Sequence, residues 1–220
     1  MEGLSTTATD SPALPVLHAS EHLLLLDKPS DLLCVPGRGA DKQDCLSARA
    51  QLAYPDALVV HRLDMATSGL CLMARGGTAQ RRLSQAFAAR EVGKCYIAIV
   101  AGRMEAQSGL IDLPLAIDWP MRPRRIIDRE HGKPSQTRWR LLSYDERSDA
   151  SRLELEPVTG RTHQLRVHLL AIGHPILGDA LYAPASVRDG APRLMLHASQ
   201  LALTHPVSGE PLRFSSPCPF

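Results

Sequence analysis

The sequence has no long apolar run and no N-terminal segment typical of a secretory signal. Its apolar runs, such as Leu23–Leu26, are only a few residues long, whereas about 20 residues are needed to cross a bilayer. The first residues, MEGLSTTATDSPALP, contain neither a basic region nor an apolar one, so no leader is predicted. We therefore expect a cytoplasmic protein with no membrane partner.

Cysteines are few, and the charge is nearly balanced. The five cysteines are odd in number and form no CxxC pair, which argues against a disulfide framework and against a zinc knuckle. Hydrophobic residues make up 44% of the 220 residues and the net charge is +2, values that exclude intrinsic disorder. A chain of this length buries enough surface to fold without a disulfide or a metal.

Two parts are expected along the chain: a flexible arm, residues 1–15, and a single domain, residues 16–220. The arm is rich in Ser, Thr, Ala and Pro, and no Pro/Gly-rich linker divides the remainder. Short apolar runs predict strands at Leu23–Leu26, Leu58–Val60, Leu70–Ala74, Tyr96–Val100, Trp139–Leu142 and Leu153–Glu156. Strands outnumber helices and several are joined by short turns, which predicts a mixed α/β domain with a largely antiparallel central sheet and flanking helices.

Two helices are predicted from apolar side chains at helical spacing. Thr78 is the expected N-cap of the first helix, and Gly93 is expected just past its end. The second helix is expected to start after Thr162 and to stop at Gly173. Their apolar stripes are Leu83, Ala86 and Phe87 in the first helix and Leu165, Leu169 and Ile172 in the second.

Positive charge is concentrated in the middle third of the chain. Residues 61–140 carry fourteen basic and seven acidic residues, a net charge of +7, while the flanking thirds carry −4 and −1. Arginine supplies 21 of the 25 basic residues, and the densest stretch runs from Arg122 to Arg140. Arginine suits phosphates and stacks on bases, which favours a nucleic-acid surface. An ordinary solvated loop explains the charge equally well.

The segment HRLDMATSGL, residues 61–70, places several polar side chains in a tight loop between two apolar strands. Asp64 follows Leu63 and lies two residues from Arg62. In such a setting the neighbouring side chains can influence the reactivity of a carboxylate. Polar groups at the junction of buried strands need partners or a function. The alternative is that Asp64 caps the turn through its own backbone, and the residues leave both interpretations open.

A second polar segment, TGRTHQLRVH, covers residues 159–168. With Thr162 as N-cap, free backbone N–H groups and Arg161 would lie together at a helix start, which suits a phosphate. Arg166 is one turn further on, where it could reach a buried carboxylate. His163 and His168 are five residues apart, a spacing that does not suit zinc ligands on one helix face. An amphipathic helix with a solvated basic face remains the alternative.

The segment KCYIA, residues 94–98, opens a predicted strand. The chain has only nine aromatic residues among Phe, Trp and Tyr. Tyr96, close to a basic region, is therefore a candidate platform on which a base could stack. A core tyrosine with a satisfied hydroxyl is the alternative.

Together these segments closely resemble the RluA family of RNA pseudouridine synthases. HRLDMATSGL matches the family's most specific motif, KCYIA supplies its tyrosine, and GRTHQLRVH followed by IGHPILGD matches its C-terminal motif. KPSDLLCVPG and RLMLHA extend the resemblance from about His22 to the end. Asp31 departs from the glycine usual in the first of these, so the turn there is expected to need an aspartate in a left-handed conformation. The S4 RNA-binding domain of many relatives is not expected here.

The resemblance implies an isomerase that converts uridine to pseudouridine without a cofactor or a metal. Asp64 would be the catalytic carboxylate, as nucleophile or base, with Arg166 paired to it and Tyr96 stacked on the uracil. The target base must first be flipped out of its stack, and Arg62 would fill the gap. The other residues implied in RNA binding are His61, Thr67, Arg161, Leu165, Arg122, Arg124 and Arg125.

The segment DWPMRPR after DLPLAI makes the sequence most similar to the short family members, which modify both large-subunit (23S) ribosomal RNA and the tRNA anticodon stem-loop. A monomer is expected. Two other functions stay open: a non-catalytic RNA-binding protein, which would have no need of the intact trio Asp64, Tyr96 and Arg166, and a His/Asp metal-dependent phosphodiesterase, which would lose activity in a chelator.

Overall fold

A computed structural model describes residues 14–220. The predicted arm therefore lies outside the described residues, except for Leu14 and Pro15. Twelve strands are found in the described part: β1 Val16–Ala19, β2 Leu23–Lys28, β3 Ala57–Val59, β4 Ser68–Arg75, β5 Gly93–Ala101, β6 Ser108–Asp112, β7 Leu115–Ile117, β8 Arg125–Ile127, β9 Gln136–Asp145, β10 Ala150–Pro157, β11 Leu196–Thr204 and β12 Pro211–Ser215. Each of the six predicted strand segments overlaps one of them.

Four α-helices accompany these strands: α1 Leu46–Ala53, α2 Gly77–Ala89, α3 Gln164–Ala171 and α4 Ala185–Arg188. A short 3-10 helix covers Ala40–Lys42. The two helices predicted from the sequence are α2 and α3, while α1 and α4 were not predicted. Within residues 14–220, no helix is both long enough and apolar enough to span a bilayer.

Ten strands join into one sheet in the order β1-β2-β4-β11-β5-β10-β9-β6, with β3 added to β4 and β12 added to β11. Strands β7 and β8 form a separate hairpin. Among the described strands, only β4 and β11 pair in parallel, so the prediction of a mixed, largely antiparallel fold is confirmed. Alternating side chains of these strands bury apolar clusters on the two sides of the sheet.

The parallel pair requires a glycine at its start. Gly69 has φ +107, and a Cβ placed on it would lie 2.3 Å from the carbonyl oxygen of Ala198 in β11. No other residue fits so close an approach. The glycine of HRLDMATSGL therefore brings β4, and the loop that precedes it, directly against β11. Asp31 has φ 63, which confirms the left-handed conformation expected of it.

The predicted helix caps are wrong in three places. Helix α2 has Gly76 as its N-cap, so Thr78 lies inside the first turn. It ends at a left-handed Arg90, whereas Gly93 is already the first residue of β5. Helix α3 has the left-handed His163 as its N-cap rather than Thr162. In each case the backbone at the boundary uses a positive φ instead of a side-chain cap. Gly173, with φ +87, follows the end of α3 as predicted.

Candidate active site

The loop between β3 and β4 carries Asp64 and is held by hydrogen bonds from side chains at and just after the end of β2. The ammonium of Lys28, 1% exposed, donates a hydrogen bond of 2.7 Å to the carbonyl of Met65 and also bonds the carbonyls of Pro29 and Leu32. The Ser30 hydroxyl donates to the Ala66 carbonyl at 2.8 Å. The backbone on the C-terminal side of Asp64 is therefore held by buried hydrogen bonds rather than left to move with solvent.

The carboxylate of Asp64 does not cap its own turn. The turn is closed by the backbone N–H of Thr67, which donates to the Asp64 carbonyl at 3.1 Å. No hydrogen bond to the Asp64 side chain is found from any residue in 14–220, and the side chain is 23% exposed. Its two oxygens are thus available to a substrate, which disfavours the interpretation of Asp64 as a turn-forming residue.

Two side chains from the region of α3 face this carboxylate. The Nη1 atom of Arg166 lies 3.6 Å from Oδ2, and the Nε2 atom of His163 lies 3.8 Å from Oδ1. At an effective dielectric constant near 20, charges about 4 Å apart attract by about 4 kcal/mol before desolvation is counted. The sequence-based prediction placed Arg166 against Asp64; the contact is present but longer than a hydrogen bond.

Arg166 is held in place by a second carboxylate, Asp179, which sequence reasoning did not assign a role. Its Nε and Nη2 atoms donate to the two oxygens of Asp179 at 2.8 and 2.5 Å. Both side chains are almost fully buried, at 4% and 2% exposure. This two-point pairing fixes the plane of the guanidinium, so the remaining Nη1 group points toward Asp64. The signal was available in IGHPILGD, where Asp179 ends a motif of the resemblance.

His163 is held on the other side by Tyr182. The Nδ1 atom of His163 lies 2.6 Å from the Tyr182 hydroxyl, which accepts a 2.8 Å hydrogen bond from the backbone N–H of Arg125. Because that hydroxyl already accepts from Arg125, its own hydrogen is free to point at Nδ1, which places the ring proton on Nε2, toward Asp64. Burial lowers the pKa of His163, although Asp64 opposes this effect. A neutral imidazole is therefore favoured at neutral pH.

The start of α3 is fixed by a buried amide. The Gln164 side chain accepts from the Thr159 hydroxyl at 2.7 Å and donates to the Thr137 hydroxyl at 3.0 Å and to the Gln136 carbonyl at 2.9 Å. It also accepts the backbone N–H of Arg161 at 3.1 Å. The loop that carries Arg161 and His163 is thereby joined to β9, and the helix cannot shift without breaking several buried hydrogen bonds.

Tyr96 comes from β5 and lies close to Asp64. Burial raises the pKa of its hydroxyl, and the negative charge of Asp64 acts in the same direction. The group is consequently protonated at neutral pH. Its hydroxyl has no hydrogen-bond partner in 14–220, so the alternative of a core tyrosine with a satisfied hydroxyl is not supported. A protonated phenol without a protein partner can donate to or accept from a substrate.

These groups line a cavity of about 540 Å³. Eight of the eleven sequence-predicted site residues surround it: His61, Arg62, Asp64, Thr67, Tyr96, Arg161, Leu165 and Arg166. The lining contains five Lys or Arg side chains, including Arg90 and Lys94, against the single carboxylate of Asp64. A cavity of this size and charge suits one nucleotide with its phosphates.

The other three predicted residues do not line the cavity. Arg125 begins β8, Arg124 precedes it with its guanidinium 5.5 Å from the centre of the Tyr182 ring, and Arg122 stacks on Trp119 at 4.8 Å. The hairpin of β7 and β8 packs on α3 through Leu115, Val167 and Tyr182. These arginines therefore lie beside the site, on a hairpin that contacts it through Tyr182.

The described residues offer no metal centre at this site. No group of three or more His, Cys, Asp or Glu side chains between residues 14 and 220 is arranged to hold an ion. His168 bonds the Thr137 hydroxyl and the Leu113 carbonyl, both at 2.9 Å, through its two ring nitrogens. This donor set gives no support to a metal-dependent phosphodiesterase.

Known proteins resemble this chain in both sequence and fold. A model of the RNA pseudouridylate synthase family matches residues 22–171. The chain is 47% identical over 209 residues to the dual-specificity RNA pseudouridine synthase RluA of Escherichia coli, a match that covers 95% of each chain. The corresponding protein of Yersinia pestis is 47% identical over 93% of this chain and 99% of its own. Human RNA pseudouridylate synthase domain containing 1 superimposes with a TM-score of 0.79 at 30% identity, covering 94% of this chain and 84% of that one.

Proposed function

Because the chain belongs to the RNA pseudouridylate synthase family and is thus an RNA-modifying isomerase, we propose that Asp64 is the catalytic carboxylate that converts uridine to pseudouridine. The observation that carries the assignment is the Asp64 carboxylate, which has no hydrogen bond from residues 14–220 and faces Arg166 at 3.6 Å in a cavity with an excess of cations. A charged carboxylate that faces a cation but accepts no hydrogen bond from its neighbours is available to react with the ribose or the base.

The reaction breaks the bond between N1 of uracil and C1′ of ribose, turns the base, and forms a bond from C1′ to C5. In this scheme the guanidinium of Arg166 faces the Asp64 carboxylate at 3.6 Å and stabilises its negative charge electrostatically. The uracil stacks on Tyr96, and Leu165 packs against the base. The Tyr96 hydroxyl relays the proton that leaves C5, accepting it while releasing its own proton to water, and N1 of the turned base takes up one proton in exchange. No step requires an oxidant or an energy source.

The cations around the cavity hold the RNA while the base is out of its stack. Flipping a base costs a few kcal/mol, which contacts to the flanking phosphates can offset. Arg62 and Arg161 are both exposed at the cavity, where Arg62 fills the gap left by the base and Arg161 meets a phosphate. Arg122, Arg124 and Arg125 extend this surface along the hairpin of β7 and β8.

We further propose that this chain acts on two RNA classes, tRNA and 23S ribosomal RNA. The support is the name of its relatives, which describes dual-specificity enzymes, together with identity over nearly the whole chain. Mapping pseudouridines in total RNA from cells with and without the gene tests the idea. Loss of pseudouridine from both RNA classes is expected. Loss from one class alone would contradict dual specificity and leave the activity intact.

Substitution of Asp64 by Asn tests the catalytic assignment. The amide keeps the size of the side chain but removes its charge, so Asp64→Asn is expected to abolish pseudouridine formation and leave RNA affinity within a few fold. Asp44→Asn is the control, since it removes a carboxylate that pairs with Arg49 at the surface. Full activity of Asp64→Asn would contradict the assignment, whereas a fully active Asp44→Asn is expected.

A further inference from the structure

A second groove, of about 430 Å³, lies next to the cavity of Asp64 and shares one residue with it. We call it the Lys94 groove; its walls come from β5, β9, β10, β11 and β12 and include Lys94, Arg138, Arg140, Glu154 and Arg213. Lys94 lines both the groove and the cavity. Cys95 lines the groove while Tyr96 lines the cavity, so the two openings lie on opposite sides of β5 because side chains alternate along a strand.

Lys94 is a cation without a protein partner at the junction. Its ammonium makes no hydrogen bond or ion pair with any residue in 14–220, and the side chain is half-buried. Burial and then the like charge of Arg90 lower its pKa, while the charge of Glu156 acts in the opposite direction. A Cβ placed on Gly160, in the loop after β10, would lie 4.0 Å from the Lys94 nitrogen. A half-buried ammonium beside another cation is stabilised when an anion binds between them.

The groove beyond Lys94 carries more positive than negative charge. Its lining contains four cationic side chains and two carboxylates: Lys94, Arg138, Arg140 and Arg213, and Glu154 and Glu156. Arg140 pairs with Glu154 and Arg138 with Glu156, but both arginine side chains are 60% exposed, and pairs this exposed contribute about 1 kcal/mol or less. Each guanidinium has five donors, of which these pairs use only one or two.

Arg213 is a second unpaired cation of the groove among the described residues. It is exposed on β12, and its side chain forms no ion pair or hydrogen bond with the described part of the chain. Phe214 and Trp139 contribute to the same wall, and both pack against the apolar core. The groove therefore offers exposed arginines, which suit the phosphates of an RNA strand.

We propose that the Lys94 groove binds the RNA backbone that flanks the target uridine, with Lys94 on the phosphate at the junction and Arg213 on a phosphate further along. The strand would leave the cavity over Lys94, at the N-terminal end of β5, and continue along the other side of the sheet. This inference rests on the proposed function, since it extends the same RNA beyond the catalytic cavity.

The test compares a target stem-loop alone with the same stem-loop carrying a short single-stranded extension, on the 5′ or the 3′ side. Single-turnover kinetics give a maximal rate and a half-saturating enzyme concentration for each RNA. Arg213→Glu is expected to raise the half-saturating concentration about fivefold for one extended RNA and to leave the stem-loop value and both maximal rates unchanged. Its salt dependence should fall by about 0.7 in log–log slope for each phosphate lost.

Arg147→Glu is the matched control, because Arg147 is also exposed and its side chain is equally unpaired among residues 14–220, but it lies in the turn between β9 and β10. It should match the unmodified protein on every RNA. Lys94→Met should weaken the binding of all RNAs, since Lys94 also lines the cavity. Any of three results would overturn the proposed role of the groove. Arg213→Glu and Arg147→Glu could have equal effects, Arg213→Glu could affect stem-loop and extended RNA equally, or Lys94→Met could leave binding unchanged. An unmodified protein that makes no pseudouridine in any of these RNAs would instead defeat the proposed function.

Discussion

Asp179 holds Arg166 through both of its carboxylate oxygens and directs the free end of the guanidinium toward Asp64. The same carboxylate accepts the backbone N–H groups of Leu181 and Tyr182, at 3.0 and 3.2 Å. The loop after Gly178 thus orients both neighbours of Asp64, Arg166 directly and His163 through the Tyr182 hydroxyl. A single buried carboxylate thus positions both Arg166 on α3 and the loop that carries Tyr182.

Removing the charge of Asp179 should therefore affect both stability and catalysis. Asp179→Asn leaves the buried Arg166 guanidinium without its anion and faces it with an amide N–H₂ group. Breaking a buried ion pair on one side costs about 3–5 kcal/mol, so a marked fall in melting temperature is expected. At a temperature where the variant is folded, single-turnover rates should fall with RNA affinity nearly unchanged, because Arg166 is misplaced.

The matched control for Asp179 is Asp189. It also forms a carboxylate–arginine pair, with Arg188 at 2.7 Å, but on the surface. Asp189→Asn should change stability by less than about 1 kcal/mol and leave the rate unaffected. A folded Asp179→Asn protein with the unmodified rate would show that Asp179 contributes to stability only.

The hydroxyl of Tyr96 should matter for chemistry and little for folding. Tyr96→Phe removes a group that has no hydrogen-bond partner in residues 14–220, so no buried donor or acceptor is left unsatisfied and the melting temperature should be unchanged. If the hydroxyl moves the C5 proton, the rate should fall by about 10²–10⁴-fold, while stacking keeps RNA affinity within a few fold. Tyr144→Phe is the control, because that hydroxyl bonds Asp149 on the surface. An unimpaired rate for Tyr96→Phe would show that a group other than this hydroxyl moves the C5 proton.

The sequence was sufficient where a feature is local. Apolar runs located β2, β3, β4, β5, β9 and β10, and short polar motifs located most of the cavity. Strand β11 was not predicted because buried His197 and Ser199 interrupt its apolar pattern. These side chains bond Ser68 and the Cys95 carbonyl, which lie far away in sequence. Helix α1 escaped because it is capped by the thiol of Cys45, which accepts the Ala48 N–H at 3.4 Å, and cysteine is not a usual capping residue.

Features fixed by distant contacts could not be predicted in detail. The motif IGHPILGD marks Asp179, but the sequence does not show its partner, because the pairing exists only where α3 brings Arg166 against it. The left-handed His163 could not be told from an ordinary helix residue, since its conformation depends on Tyr182 and on the Gln164 network. The arginines of the β7 and β8 hairpin were predicted as part of the RNA surface, but the sequence did not reveal that the hairpin contacts the site through Tyr182.

His61 gives the fold a specific sensitivity to acid. Its Nε2 atom accepts the backbone N–H of Leu72 at 2.9 Å, and its ring stacks on Phe87 with 4.4 Å between centroids. Burial, assisted by the charge of Lys94, lowers the pKa of His61 to about 4, against about 6.5 in an unfolded chain. Because the folded state favours the neutral ring, this contribution to stability is complete above about pH 6.5 and is lost as the pH falls toward 4.

The acid-dependent loss assigned to His61 is on the order of 3 kcal/mol. Urea unfolding at about pH 7 and about pH 4.5 should show that His61→Gln is less stable than the unmodified protein at the higher pH, and that this gap shrinks by about 2–3 kcal/mol at the lower pH. The variant keeps an acceptor for the Leu72 N–H but has no proton to gain. His131→Gln, at a histidine whose side chain is 81% exposed, should leave the pH dependence unaltered. A gap between His61→Gln and the unmodified protein that is the same at both pH values would mean that His61 takes up its proton equally in the folded and unfolded states, and that any acid sensitivity arises from other groups.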